Sequence, residues 1–263
     1  MKFMAEPLLF SLIVGIAVGI SAGYLGSIMV LEKMALVGDA LSHVALPGLA
    51  IGILLHFNPF VGAFAFLFTS AVLIWYLGRV TKLSFETLVG AVFTLALAIG
   101  ILLVPQPDLL EALFGDITKV GWIDALIAIV ISIAVVALTR AIYRKIVLGL
   151  ISEELAVSKG INVARTNLLY LLLVSLTVAI GLRITGTLLV GFLVVTPAAA
   201  ARTISANLSK YFALSAIFGA ISSISGILLS GYFNVLPGPL VVVSGVAIFA
   251  VVIVVRWRKK ITS

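Results

Sequence analysis

Apolar runs of 14 to 24 residues follow one another along nearly the whole chain, separated by short polar breaks, and this pattern leaves few folds open. A hydrocarbon core about 30 Å thick takes about 20 apolar residues per helical pass, and backbone polar groups can be satisfied there only in helices or closed barrels. The runs are continuous rather than alternating, so they predict helices. With 63% apolar and 10% charged residues among 263 and a mean hydropathy of +1.33, the chain lies far from the roughly 45–50% and 25% of soluble domains. The expectation is an all-α polytopic membrane protein, one transmembrane domain over residues 1–263.

Nine segments emerge: Leu8 to Leu31, Leu36 to Leu55, Phe60 to Leu77, Thr87 to Val104, Trp122 to Leu138, Asn167 to Leu182, Thr187 to Ala200, Phe212 to Ser230 and Pro239 to Val255. The seventh would span only about 21 Å as a helix, so it must be broken, tilted or extended by its neighbours. Nine spans place fourteen of the seventeen basic residues on one side, from Lys33 through Arg79, Arg140 to Arg165, Arg202 and Lys210 to the Arg256–Lys260 cluster. Lys2, Lys119 and Arg183 remain opposite. The positive-inside rule makes the first side cytoplasmic. A re-entrant seventh segment would export the Arg256–Lys260 cluster, so charge favours nine spans, with eight and a different break as the alternative. The Lys2 start resembles a signal peptide for a few residues, but the run continues to Leu31 and reads as the first span.

The formal charge of +7 is dispersed between apolar runs rather than gathered on a polar domain, which argues against nucleic acid as a partner. No cysteine is present, so disulfides and thiolate metal sites are excluded. Without a Gly-x-x-x-x-Gly-Lys-Ser/Thr loop the chain is not expected to hydrolyse nucleotide, and without His-Glu-x-x-His it lacks the usual zinc-protease motif. Gly15, Gly19 and Gly23, like Gly48 and Gly52, recur every four residues, a spacing that lets helices approach closely in lipid. Two connections exceed a turn. One is external, Pro105 to Gly121, with Asp108, Glu111 and Asp116. The other is cytoplasmic, Thr139 to Thr166, and reads as a short helix with Ser152 as N-cap, Glu153 and Glu154 in its first turn and Gly160 closing it.

Asp39 and His43 are the chemically informative pair. A carboxylate near the bilayer core costs about 2.5 to 3.5 kcal/mol on insertion scales and stays only where it is paired or faces a polar pathway. Four residues apart on a helix, the two share a face, and oxygen with imidazole nitrogen suits zinc, manganese or ferrous iron. Pro47, four residues on, cannot donate to the His43 carbonyl, which would free a third oxygen. One chain supplies too few ligands; two copies about a two-fold axis would supply four. The competing reading is a buried pair that bonds to itself or to nearby backbone. By these boundaries Asp39 lies about 5 Å into its span, so either the helix starts earlier or the site is displaced inward. His56, beside Asn58 and Pro59, reads as an interfacial residue, with ion entry as its alternative role.

Gly38-Asp39-Ala40-Leu41-Ser42-His43-Val44-Ala45-Leu46-Pro47-Gly48, Leu113-Phe114-Gly115-Asp116-Ile117, Gly186-Thr187-Leu188-Leu189-Val190 running to Thr196-Pro197-Ala198-Ala199-Ala200-Ala201-Arg202, and Pro237-Gly238-Pro239-Leu240 together resemble the permeases of zinc/manganese/iron ABC importers. The resemblance covers nearly the whole chain. It implies a multi-pass permease of the plasma or inner membrane that works as a homodimer, with separate ABC ATPase subunits beneath and an extracytoplasmic metal-binding protein delivering the ion. It also implies that Asp39 and His43 line the metal route, and that Glu153, Glu154, Ala156 and Gly160 belong to a coupling helix seated on the ATPase. The divalent ion, zinc, manganese or iron, is then cargo, and no permanently bound cofactor is expected. An ion-coupled secondary carrier and a permease for a metal chelate are the alternatives.

Overall fold

The computed structural model describes residues 2–81, 83–103 and 120–261, and the external motif at 113–117 with Asp108, Glu111 and Asp116 lies outside them. Ten helices are described: α1 (Lys2–Leu31), α2 (Ala35–Val44), α3 (Leu46–Leu54), α4 (Pro59–Thr81), α5 (Phe85–Leu103), α6 (Trp122–Ile151), α7 (Glu153–Ser158), α8 (Val163–Ile204), α9 (Leu208–Phe233) and α10 (Pro237–Ile261). Among the described residues no strand occurs, and eight segments are long and apolar enough to cross a membrane. One of these, Val37–Leu54, comprises α2 and α3.

The short seventh segment is explained by a fold-back inside α8. Gly186 has φ 69° and ψ −179°, a backbone conformation that a side chain makes costly and glycine adopts readily. A Cβ placed on Gly181 would lie 3.0 Å from Val190 Cγ2. Nine residues of straight helix would separate these positions by about 13.5 Å, so the chain reverses at Gly186 and its two arms lie side by side. Gly181 also sits 3.4 Å from Val18 Cγ1 by the same measure, halfway along α1, which puts the turn within the outer half of the membrane. The second arm, Val190–Ile204, returns to the side that carries the basic residues, as nine passes require, but is too short to cover the full thickness. At its inner end Arg202 Nη1 donates to the Val30 carbonyl (2.8 Å), and the Thr203 carbonyl accepts from Arg256.

α1 is the central post, with Val14, Val18, Leu25, Ile28 and Met29 almost wholly enclosed by α6, α8 and α9. Its glycine spacing serves close approach. Added Cβ atoms on Gly19 and Gly219 would each overlap the other's carbonyl, and Gly23 meets the Ser215 backbone in the same way. Gly48 and Gly62 bring α3 and α4 together by an equivalent contact. Gly219→Leu is expected to force α1 and α9 apart at a cost of about 1–3 kcal/mol or more, seen as a lowered melting temperature and loss of the monodisperse peak in detergent.

Candidate functional site

Asp39 and His43 both project from α2, a ten-residue helix that ends at Ala45 before Pro47 enters the first turn of α3. The break follows from proline chemistry, since Pro47 is tolerated in a first turn and would disrupt a continuous helix. The expected free oxygen at His43 is not left open: the His43 and Ser42 carbonyls both accept backbone N–H groups of the cap. Ser42 Oγ donates to the Asp39 carbonyl (2.6 Å), which anchors the turn between the two residues.

The His43 ring lies 5.5 Å from the Phe93 ring, and Phe93 is the ninth of nineteen residues in α5, so the imidazole sits near mid-membrane. Asp39 is one turn nearer the cytoplasm, about 6 Å along the helix axis. The site is therefore displaced inward from the midplane, in a helix that starts at Ala35. Asp39 is exposed on the surface of the single chain and His43 is half-buried beside it. The carboxylate is close enough to act electrostatically on the imidazole. His43 Nδ1 is enclosed and, among the described residues, has no hydrogen-bond partner, at a cost of about 1–3 kcal/mol. Among the described residues no group of three or more His, Cys, Asp or Glu is placed to hold a metal, so one chain presents an incomplete donor set of oxygen and nitrogen.

Behind the pair stands the second arm of α8. A Cβ on Gly191 would lie less than 3.0 Å from Asp39 N, Cα and Cβ, and Gly38 packs against Met29 and Val194. Backbone therefore rests on backbone at the position that carries the carboxylate. Gly191 carries no signal in the sequence beyond being a glycine in an apolar run, and only the fold-back at Gly186 brings it here.

α7 forms as its sequence predicts. Ser152 Oγ accepts from Leu155 N–H (3.1 Å), and Glu153 and Glu154 occupy the first turn. Gly160, at φ 74°, ends it in a Schellman motif, with Ile161 N–H donating to the Ala156 carbonyl (3.0 Å) and Gly160 N–H to the Val157 carbonyl (2.9 Å). Ala156 is fully buried, while Glu153, Glu154, Leu155 and Val157 are exposed. This is a stiff helix, seated by a small residue, with acidic and aliphatic side chains turned outward. His56 occupies the turn after α3 with φ 55°, exposed at the opposite end of the molecule, apart from Asp39 and His43.

Residues 4–256 match the ABC 3 transport family. The manganese transport system membrane protein MntC of Listeria monocytogenes is 34% identical over 243 residues, covering 91% of this chain and 87% of its own length. The high-affinity zinc uptake system membrane protein ZnuB of Haemophilus influenzae is 31% identical, covering 97% of this chain and all of its own. Among solved structures, PsaBC from Streptococcus pneumoniae in complex with Fab superposes with a TM-score of 0.81 at 30% identity, over 96% of this chain and 91% of that one.

Proposed function

The chain belongs to the ABC 3 transport family, and from that premise we propose that it forms the translocation pathway of an ATP-driven importer for a divalent transition metal, manganese or zinc. The observation that carries the reading is the placement of Asp39, an ionisable group exposed on the chain's own surface within the membrane, one turn inward of its middle, with His43 at its side. Facing lipid, that carboxylate would cost about 2.5 to 3.5 kcal/mol. A second copy apposed across a two-fold axis turns the same surface inward, and two carboxylates with two imidazoles then offer an oxygen and nitrogen donor set suited to manganese or zinc. A sparse, wet site of this kind can release its ion, which transport demands.

The energy comes from another chain, because no phosphate-binding loop is present in this one. Glu153, Glu154, Ala156 and Gly160 supply the docking element: α7 offers exposed acidic and aliphatic side chains on a rigid, capped turn at the cytoplasmic rim. Closure of the ATPase pair moves α7, and α8, which follows it directly, carries the motion to the backbone of Asp39 at Gly191. An extracytoplasmic binding protein hands over the metal.

Reconstitution in liposomes tests this against an ion-coupled carrier. Uptake of manganese or zinc is expected only when the permease is combined with an ABC ATPase, ATP and a loaded binding protein. Metal uptake by the purified permease alone, driven by a proton or sodium gradient, would overturn it.

A further inference from the structure

A cavity of about 220 Å³ opens at the cytoplasmic face among the loop after α1, the last turns of α6 and the starts of α5, α7 and α8. Its polar wall is unbalanced. Glu32 is half-buried there, and among the described residues its carboxylate has neither an ion pair nor a hydrogen bond. Tyr170, only 4% exposed, lines the same cavity, and its hydroxyl has no hydrogen-bond partner among the described residues. Glu153, from the first turn of α7, and the Asn167 carboxamide complete the acceptors, and Lys145 of α6 is the cation on the wall. Met34, Phe85 and Leu171 give the remainder an apolar lining.

We propose that this cavity receives a lysine or arginine side chain of the ATPase subunit, as a second attachment point beside α7. The inference rests on the reading of α7 as an ATPase-docking element. An alkyl stem fits the apolar lining, and a cationic head finds the Glu32 carboxylate with the Tyr170 and Asn167 oxygens as further acceptors. A bare divalent ion fits less well. Lys145 opposes it, and among the described residues no third acidic or imidazole ligand joins Glu32 and Glu153. The position gives the contact leverage, because Met34 on the cavity wall is also the N-cap of α2, five residues before Asp39. The ATPase would thus hold the base of the metal-facing helix directly, as well as through α7 and α8.

Burial pushes the Glu32 carboxyl up to about 7, so seating a cation beside it must expel a proton over part of the neutral range. The linkage has a definite sign. The free cavity holds the proton below about pH 7 and the complex does not, so affinity rises with pH and levels off above that value. Between pH 6 and pH 8 the gain is about tenfold. Among the described residues, Lys145 and Glu153 are the other charged groups that face Glu32 from the packed elements, with Tyr170 as the remaining titratable one.

The test is the affinity of purified ATPase for the permease in nanodiscs at pH 6, 7 and 8, without nucleotide. Wild type is expected to bind about tenfold more tightly at pH 8 than at pH 6. Glu32→Gln should bind at least tenfold more weakly at pH 8, with the pH dependence flattened. Lys145→Gln should bind more tightly than wild type, a gain that misfolding cannot produce. A Glu32→Gln variant that binds as wild type does, or a wild-type affinity flat in pH, overturns the inference while leaving the α7 contact standing. Absence of any wild-type complex overturns both.

Discussion

Asp39→Ala and His43→Ala are each expected to lower metal uptake in cells by at least a hundredfold while leaving the protein folded and assembled. Loss of a partner that merely orients a metal ligand costs about 10–100-fold in affinity or activity, and loss of the ligand itself should exceed that. Stability is expected to move the other way or not at all. Removing Asp39 takes an exposed carboxylate out of the membrane, and removing His43 abolishes an enclosed nitrogen that has no partner among the described residues. This opposition separates a transport role from a structural one. Uptake of radioactive manganese and zinc, read beside the melting temperature and elution volume of each variant, decides it. A variant that transports at the wild-type rate would remove the pair from the metal route. One that loses uptake only because it no longer folds would make the pair a packing element.

That Asp39 and His43 lie one turn apart on a single helix was legible in the sequence, because helical spacing is a local property. Which way the pair faces was not, since that depends on how α2 is rotated against α5 and α8. The membrane class and most of the spans could likewise be read from the apolar runs, and Ser152 with Gly160 marked both ends of α7. Pro47 pointed to a freed carbonyl at His43 within one continuous segment; that the helix ends there instead, with capping N–H groups taking up the His43 and Ser42 carbonyls, is a property of the folded turn. The shortness of the seventh segment was visible. Gly186 stood in the break between the sixth and seventh segments, but that this break is a tight reversal at one glycine with φ 69°, short of the far side of the membrane, was not legible, because it is a property of the folded turn. Glu32 was hidden in another way. An acid beside a lysine at the end of a span reads as a polar break, and only the packing of α6, α7 and α8 around it encloses its carboxylate, with no partner among the described residues.

Gly191→Ala is expected to reduce uptake tenfold or more, although the substitution adds one methyl group and no charge. The added Cβ would fall among the Asp39 N, Cα and Cβ atoms, which are backbone and its first side-chain carbon and cannot turn aside. The two helices must therefore separate by a fraction of a helix diameter, at about 1–3 kcal/mol, and Asp39 moves with α2. Displacements of that size matter for a donor set completed across a two-fold axis, because each copy shifts its ligands and metal–ligand distances tolerate only about 0.2 Å. Gly90→Ala on α5 is the matching control. Nothing lies within 4 Å of its added Cβ, and alanine in a helix interior gains about 0.5–1 kcal/mol over glycine, so uptake should be unchanged and the melting temperature no lower. Gly191→Val should fail more completely than Gly191→Ala, and binding of manganese to the purified variants should fall in the same order. Full uptake by Gly191→Ala, with its melting temperature unaltered, would show that α2 is not held by the second arm of α8 during transport.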